Sequence, residues 1–222
     1  MLFKEVTELL KKEITIELRQ KYALNGILLY LAGTVFICYL SFNLESIQLQ
    51  SITWNALFWI IILFTAISAV AKSFLQESPG HLIYYYTVAS GQSIIIAKML
   101  YYSMLLIGLG LIGFGFYGVV LGNPVQNHWL FIINIVLGSI GMATTLTLVS
   151  SIAAKAHSNQ TLFSVLGFPI LIPILLMSIK ISKNAIDGLA WPDSYHELAV
   201  ICSIDAIVCS LSIILFPYIW RS

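Results

Sequence analysis

The sequence predicts an all-α integral membrane protein, with six transmembrane helices preceded by an amphipathic N-terminal interfacial helix. Two observations carry that prediction. Of the 222 residues, 59% are hydrophobic and only 9% charged, far from the roughly 25% charged of a soluble domain. A bilayer core needs about 20 apolar residues per helix, and the chain supplies such runs at 25–42, 54–71, 99–121, 129–154, 161–179 and 198–218. The formal net charge of +1 offers no basic excess for nucleic acid. Cys38, Cys202 and Cys209 sit in apolar runs without metal-ligand or disulfide-framework spacing, so they read as packing residues.

Residues 1–24 form the first unit. Phe3, Val6, Leu10, Ile14, Leu18 and Tyr22 recur at three- and four-residue spacing, while Lys4/Glu8, Glu8/Lys12 and Glu17/Lys21 offer i,i+4 pairs on other faces. This helix is too charged to span. It fits the inner headgroup layer, and a helix packed on a partner protein would carry the same periodicity. The apolar run at 25–42 follows this mixed-charge stretch and lacks a small-x-small cleavage site behind it, so it reads as a span and not a signal peptide. Residues 25–222 then make one six-span domain, with a polar stretch at 72–98 between the second and third spans.

Lysine and arginine set the orientation. With a cytoplasmic N-terminus the inner side holds Lys4, Lys11, Lys12, Arg19, Lys21, Lys72, Lys98, Lys155 and Arg221, and the outer side only Lys180 and Lys183. Both chain ends and the stretch 72–98 are therefore expected in the cytoplasm, and 43–53, 122–128 and 180–197 on the opposite side.

That stretch, AKSFLQESPGHLIYYYTVASGQSIIIAK, raises a question of purpose. Ser78, Pro79 and Gly80 read as a turn opening a short helix, since serine caps and proline suits the first helical position. Glu77 and His81 stand at its start, and Leu82, Ile83 and Tyr84 to Tyr86 give it an apolar face. Two uses stay open: an element that docks into a partner, or a helix that lies on the membrane.

Motifs for chemistry are few. GLGLIG and GFGFYG, between Gly108 and Gly118, match G-x-G-x-x-G but lie inside a span with no strand before them, so they suit helix packing and not a nucleotide. No G-x-x-x-x-G-K-[ST] occurs, and any ATP must be handled by another chain. The four histidines fall in loops, without H-E-x-x-H or G-x-S-x-G, which leaves an intramembrane hydrolase poorly supported. His128 and His196, with Trp191 nearby in the outer segments, admit two readings: axial ligands for haem, or ordinary residues of a membrane boundary. Asp205, inside the sixth span, is costly unless protonated, paired or wetted, and is expected to face the bundle interior. Pro169 and Pro173, one turn apart in the fifth span, predict a kinked or broken helix, for packing or for movement.

Four stretches together carry a resemblance: FLQESPGHL (74–82) followed by IAKML (96–100), LGSIG (137–141), and LFSVLGFPILIPIL (162–175). With the six spans and the N-terminal helix, the chain resembles the permease subunits of ABC-2-type exporters, and more narrowly the haem exporter protein B (CcmB) family of bacterial cytochrome c maturation. The resemblance implies a non-catalytic permease of the bacterial inner membrane, paired with a separate ATP-binding subunit, CcmA, beside CcmC, CcmD and the haem chaperone CcmE, and present in two copies. It implies no directly bound cofactor, ATP acting through the partner, and either export of haem as cargo or ATP-driven release of the haem-loaded chaperone. It also makes Glu77, Gly80, His81, Leu82 and Tyr84 the ATPase-coupling residues. An ABC-2 permease for another lipid, drug or polysaccharide is the alternative, and an integral-membrane enzyme a further one.

Overall fold

The computed structural model describes residues 2–20, 22–44, 49–71, 74, 90–155 and 160–221. These residues form α1 (Leu2–Gln20), α2 (Tyr22–Leu44), α3 (Ser51–Val70), α4 (Gly91–Leu121), α5 (His128–Lys155) and α6 (Gln160–Ile186). A short 3₁₀ turn (Trp191–Ser194) then leads into α7 (Tyr195–Arg221). Six of the helices, α2 to α7, are long and apolar enough to cross a membrane, and the described residues contain no strand.

The bundle is organised around α5, which packs against α3, α4, α6 and α7. Its sequence makes this position available. Gly138, Ser139, Gly141, Ala143, Thr144, Thr145, Ser150, Ser151 and Ala153 are all buried along it, and small side chains let neighbouring backbones come close in a membrane. Three of the buried hydroxyls are satisfied by their own helix: Thr144 donates to the Gly141 carbonyl at 3.1 Å, Thr147 to that of Ala143 at 2.6 Å and Ser151 to that of Leu148 at 2.6 Å. At the end where α3 starts and α4 stops, Trp54, Phe58, Phe114, Tyr117 and Phe131 form one aromatic block, with ring centroids 4.8 Å apart for Trp54 and Tyr117 and 4.6 Å for Phe114 and Phe131. The Trp54 indole N–H donates to the Gly122 carbonyl at 2.8 Å, and the Tyr117 hydroxyl to the Trp54 carbonyl at 3.1 Å.

Two helices start or end elsewhere than hydropathy predicts. The 31 residues of α4 make about 46 Å of helix, longer than a hydrocarbon core of about 30 Å. It begins at Gly91, not near Met99, because Ser90 caps it by accepting the Ser93 amide. Residues 91–98 are thus helix and not loop. Likewise α6 runs on to Ile186 and carries Lys180 and Lys183 on its last turns.

The prolines do not break α6. Pro169 and Pro173 both lie inside one continuous helix, a tolerance common in membrane helices whose neighbours re-satisfy the freed backbone. Ahead of them Phe163 is buried in the core, while Val165 faces outward, 63% exposed. Beyond them the C-terminal half of α6 is fastened to α3 and α5. The Asn55 amide donates to the Ile179 carbonyl at 2.9 Å, the Trp59 indole to Ser182 Oγ at 2.8 Å, and Asn134 Nδ2 to both the Ser178 carbonyl and Ser182 Oγ at 2.7 Å.

α1 packs against the bundle. It runs alongside the projecting start of α4, with Glu5 beside Ser90 and Ser93 and Glu13 beside Lys98. Val6 is buried and Leu9 and Leu10 are partly covered, whereas Phe3 is 88% exposed and Ile14 is exposed as well. Glu5 and Glu13 share the docked face with Val6, Leu9 and Leu10. Glu8 pairs with Lys11 at 3.2 Å and Lys12 with Glu13 at 3.1 Å, in place of the Lys4/Glu8 and Glu8/Lys12 spacing. Lys21, the partner expected for Glu17, and the side chains of Leu18 and Tyr22 lie outside the described residues.

Candidate functional site

The expected coupling residues Glu77, Gly80, His81, Leu82 and Tyr84 lie outside the described residues. The segment's two ends are described, and both are tied down. Phe74, at the end of the chain leaving α3, is 3% exposed and packs its ring 5.5 Å from that of Phe216 in α7. These rings join Ile94, Ile95 and Met99 of α4 in a small core, flanked by Leu9 of α1, Ala154 of α5 and Cys209 of α7.

A charge sits against this core. The Lys98 ammonium lies 4.7 Å over the Phe74 ring and 3.6 Å from Glu13 Oε1, in a residue only 3% exposed. A desolvated cation over an aromatic face gains about 2 kcal/mol, and the Glu13 carboxylate supplies the counter-charge. At the other end, Ser93 Oγ donates to Glu5 Oε2 at 2.8 Å, and Ser90 donates to it from both Oγ, at 3.1 Å, and backbone N–H, at 3.3 Å. A carboxylate at a helix N-terminus also meets the positive end of the helix dipole. Led by the Ser93 hydrogen bond, these donors hold Glu5 below its ordinary value. One helix, α1, therefore clamps both ends of the polar segment. The sequence signal for this clamp was a lysine immediately before an apolar span and two glutamates eight residues apart, which is weak evidence taken alone.

Within the membrane-spanning part, Asp205 lies about 15 Å along α7 from Tyr195 and is 8% exposed. A Cβ built on Gly141 would overlap Asp205 Oδ1, and would also touch Ile174 of α6 at 3.2 Å. Neither carboxylate oxygen has a hydrogen-bond partner among the described residues, and the same is true of Ser178 Oγ, Thr145 Oγ1, and the side-chain carbonyls of Asn55 and Asn134. Asn55, Trp59 and Asn134, polar or indole N–H groups inside apolar runs, were missed by the sequence reading, as was Ser182, which stands between Lys180 and Lys183 beyond the fifth predicted span.

The residues near the starts of α5 and α7 are less gathered. His128 is exposed, with Nε2 3.2 Å from the Asn123 amide and Nδ1 3.3 Å from the Gln126 carbonyl. A neutral ring with its proton on Nδ1 satisfies both contacts. His196 is exposed on the first turn of α7, while Trp191 packs against the main core. Among the described residues no three His, Cys, Asp or Glu side chains group as a metal site would require.

Compared with known protein families, the chain matches the one described as CcmB protein, over residues 4–219. The chain belongs to the CcmB family. A search of curated proteins returns no match. CcmB membership makes this a haem-exporter-type permease of cytochrome c maturation, of the ABC-2 kind, and accounts for six apolar helices in a multi-pass membrane protein. In CcmB terms, the Phe74–Lys98–Glu13 hub and the Glu5–Ser90–Ser93 cap mark the two roots of the polar segment between the second and third spans.

Proposed function

We propose that this CcmB chain couples ATP hydrolysis by a separate subunit, CcmA, to movement of the membrane helices during cytochrome c maturation. It works as a pair of copies in the bacterial inner membrane, with both termini cytoplasmic, beside CcmC, CcmD and the haem chaperone CcmE. The observation that carries this reading is the fastening of both ends of the polar segment 72–90 to rigid helices. A linker needs no such roots. A segment that receives a push needs them, because a force on Glu77 to Tyr86 reaches α4 and α7 only through stiff connections.

The chain's own parts suggest how the push is used. Phe74 bears on Phe216, so displacement of the segment is felt at the end of α7. Pro169 and Pro173 remove the donors for the Val165 and Pro169 carbonyls, which softens α6 just ahead of the stretch that α3 and α5 fasten. Haem, as cargo, would be met at the outer end by His128, His196 and Trp191. That contact rests on the haem chemistry of the family and the placement of these residues in the outer segments.

The test is a double replacement in the coupling segment, Glu77→Lys with Leu82→Asp. The variant should insert at the wild-type level, lose co-purification of the ATP-binding subunit, and fail to support cytochrome c maturation. Retained binding at wild-type strength would show that the ATPase docks elsewhere, with residues 155–160 as the next segment to test. Retained binding and maturation together would sink the coupling assignment.

A further inference from the structure

Gly138 and Gly141 cut a notch into the face of α5, about 4.5 Å apart along the helix axis. Two unpartnered groups point into it. Ser178 Oγ of α6 lies 3.0 Å from where a Gly138 Cβ would stand, and Asp205 Oδ1 of α7 fills the space opposite Gly141. We propose that Asp205 in this notch is a proton-binding site, occupied while α5, α6 and α7 are packed together and emptied when they part. The proposal does not depend on the transport reading.

The surroundings select a proton over a counter-ion from the protein. Between their terminal turns, α5 and the 161–179 part of α6 carry no titratable side chain. On α7 itself the titratable neighbours one turn from Asp205 are Cys202 and Cys209. From α4, which also packs on α7, Tyr101 and Tyr102 stand closest in height to Gly141, and neither hydroxyl bonds the carboxylate, whose two oxygens have no partner among the described residues. The buried cation Lys98 lies with Glu13 and Phe74 at the root of the polar segment. An ionised carboxylate with both oxygens buried beside Gly141 has lost its water and gained no opposite charge among the described residues. Its neutral acid form fits the same space at far lower cost. Parting α5 from α7 would readmit water and release the proton, so occupancy reports the packing of these helices.

Infrared spectroscopy of the full chain in lipid tests this. At neutral pH the wild type should show a protonated-carboxyl C=O band that shifts in D₂O, vanishes in Asp205→Asn, and disappears at lower pH in Gly141→Ala, where α7 is forced off α5. Should the Asn variant fail to insert, wild type alone decides: the band should be lost as pH rises, and a carbodiimide, which adds to the protonated acid, should leave an adduct on the peptide holding Asp205 in the same pH range. A wild-type spectrum with only ionised-carboxylate bands for Asp205, or no adduct and no such band, overturns the proposal. Protection from the carbodiimide by Na⁺ or K⁺ at constant pH would make this a metal-cation site and overturn it equally.

Discussion

Gly141→Ala places one methyl group where the structure has no room for it. The new Cβ overlaps Asp205 Oδ1 and meets Ile174 Cδ1 and Cγ2 at 3.2 Å. Ile174 can give by a few tenths of an ångström, but the carboxylate is fixed to a packed helix. Extra volume forced into a tight core costs about 1–3 kcal/mol. For a chain of this size each kcal/mol moves Tm by about 2–4 °C, so a fall near 6 °C is expected, read by thermal unfolding of the detergent-solubilised protein. Asp205→Ala removes the obstructing oxygen, and the double variant Gly141→Ala/Asp205→Ala should recover more than half of the loss. Gly115→Ala serves as control: nothing lies within 4 Å of its Cβ, and alanine in mid-helix is favoured over glycine by about 0.5–1 kcal/mol. A Gly141→Ala variant that melts with wild type, or a double variant no better than the single, would refute the contact between α5 and α7 described here.

Two further outcomes concern the clamp formed by α1. At 3.6 Å the Glu13–Lys98 attraction is about 4–5 kcal/mol at an effective dielectric near 20; competition from Lys12 and partial exposure of Glu13 should leave about 1–2 kcal/mol as the coupling energy in a Glu13→Gln/Lys98→Met cycle, and a coupling of zero would mean the pair is incidental. Glu5 is depressed in the folded state by its serine donors, so the stabilisation it gives is present above the ordinary glutamate range and is lost as pH falls through its folded value. Protease access to α1 should therefore rise on acidification below about pH 4, and the Glu5→Gln variant should lack that pH dependence; an identical profile in the variant would remove Glu5 from the docking.

Hydropathy exposed the spans because a bilayer imposes one length and one polarity on whatever crosses it. Asp205 declared its direction for the same reason: a carboxylate in an apolar run has few tolerable environments. The clamp was hidden because periodicity names a face without naming what covers it. Phe3, Val6, Leu10 and Ile14 share a helical spacing, yet only part of that row is covered, and Glu5 and Glu13 join the docked face through partners more than 80 residues away. Lys98 read as a boundary cation because sequence cannot show Phe74 and Glu13 closing over it. The start of α4 was misjudged where the polar run Ser90–Gly91–Gln92–Ser93 resembles loop, although Ser90 caps the helix. Glu77 to Tyr84 owe their assignment to family likeness.

The fastening of α6 by α3 also sets an order for biogenesis. Asn55 bonds a carbonyl 124 residues later, and Trp59 a hydroxyl 123 residues later. At a synthesis rate of about 5–20 residues per second, α3 waits roughly 6–25 s before its partners leave the ribosome. During that interval two polar donors sit in the membrane without their final acceptors. Premature release of the nascent chain before α6 is made would leave those donors seeking substitutes, which makes a truncated product a natural target for membrane quality control.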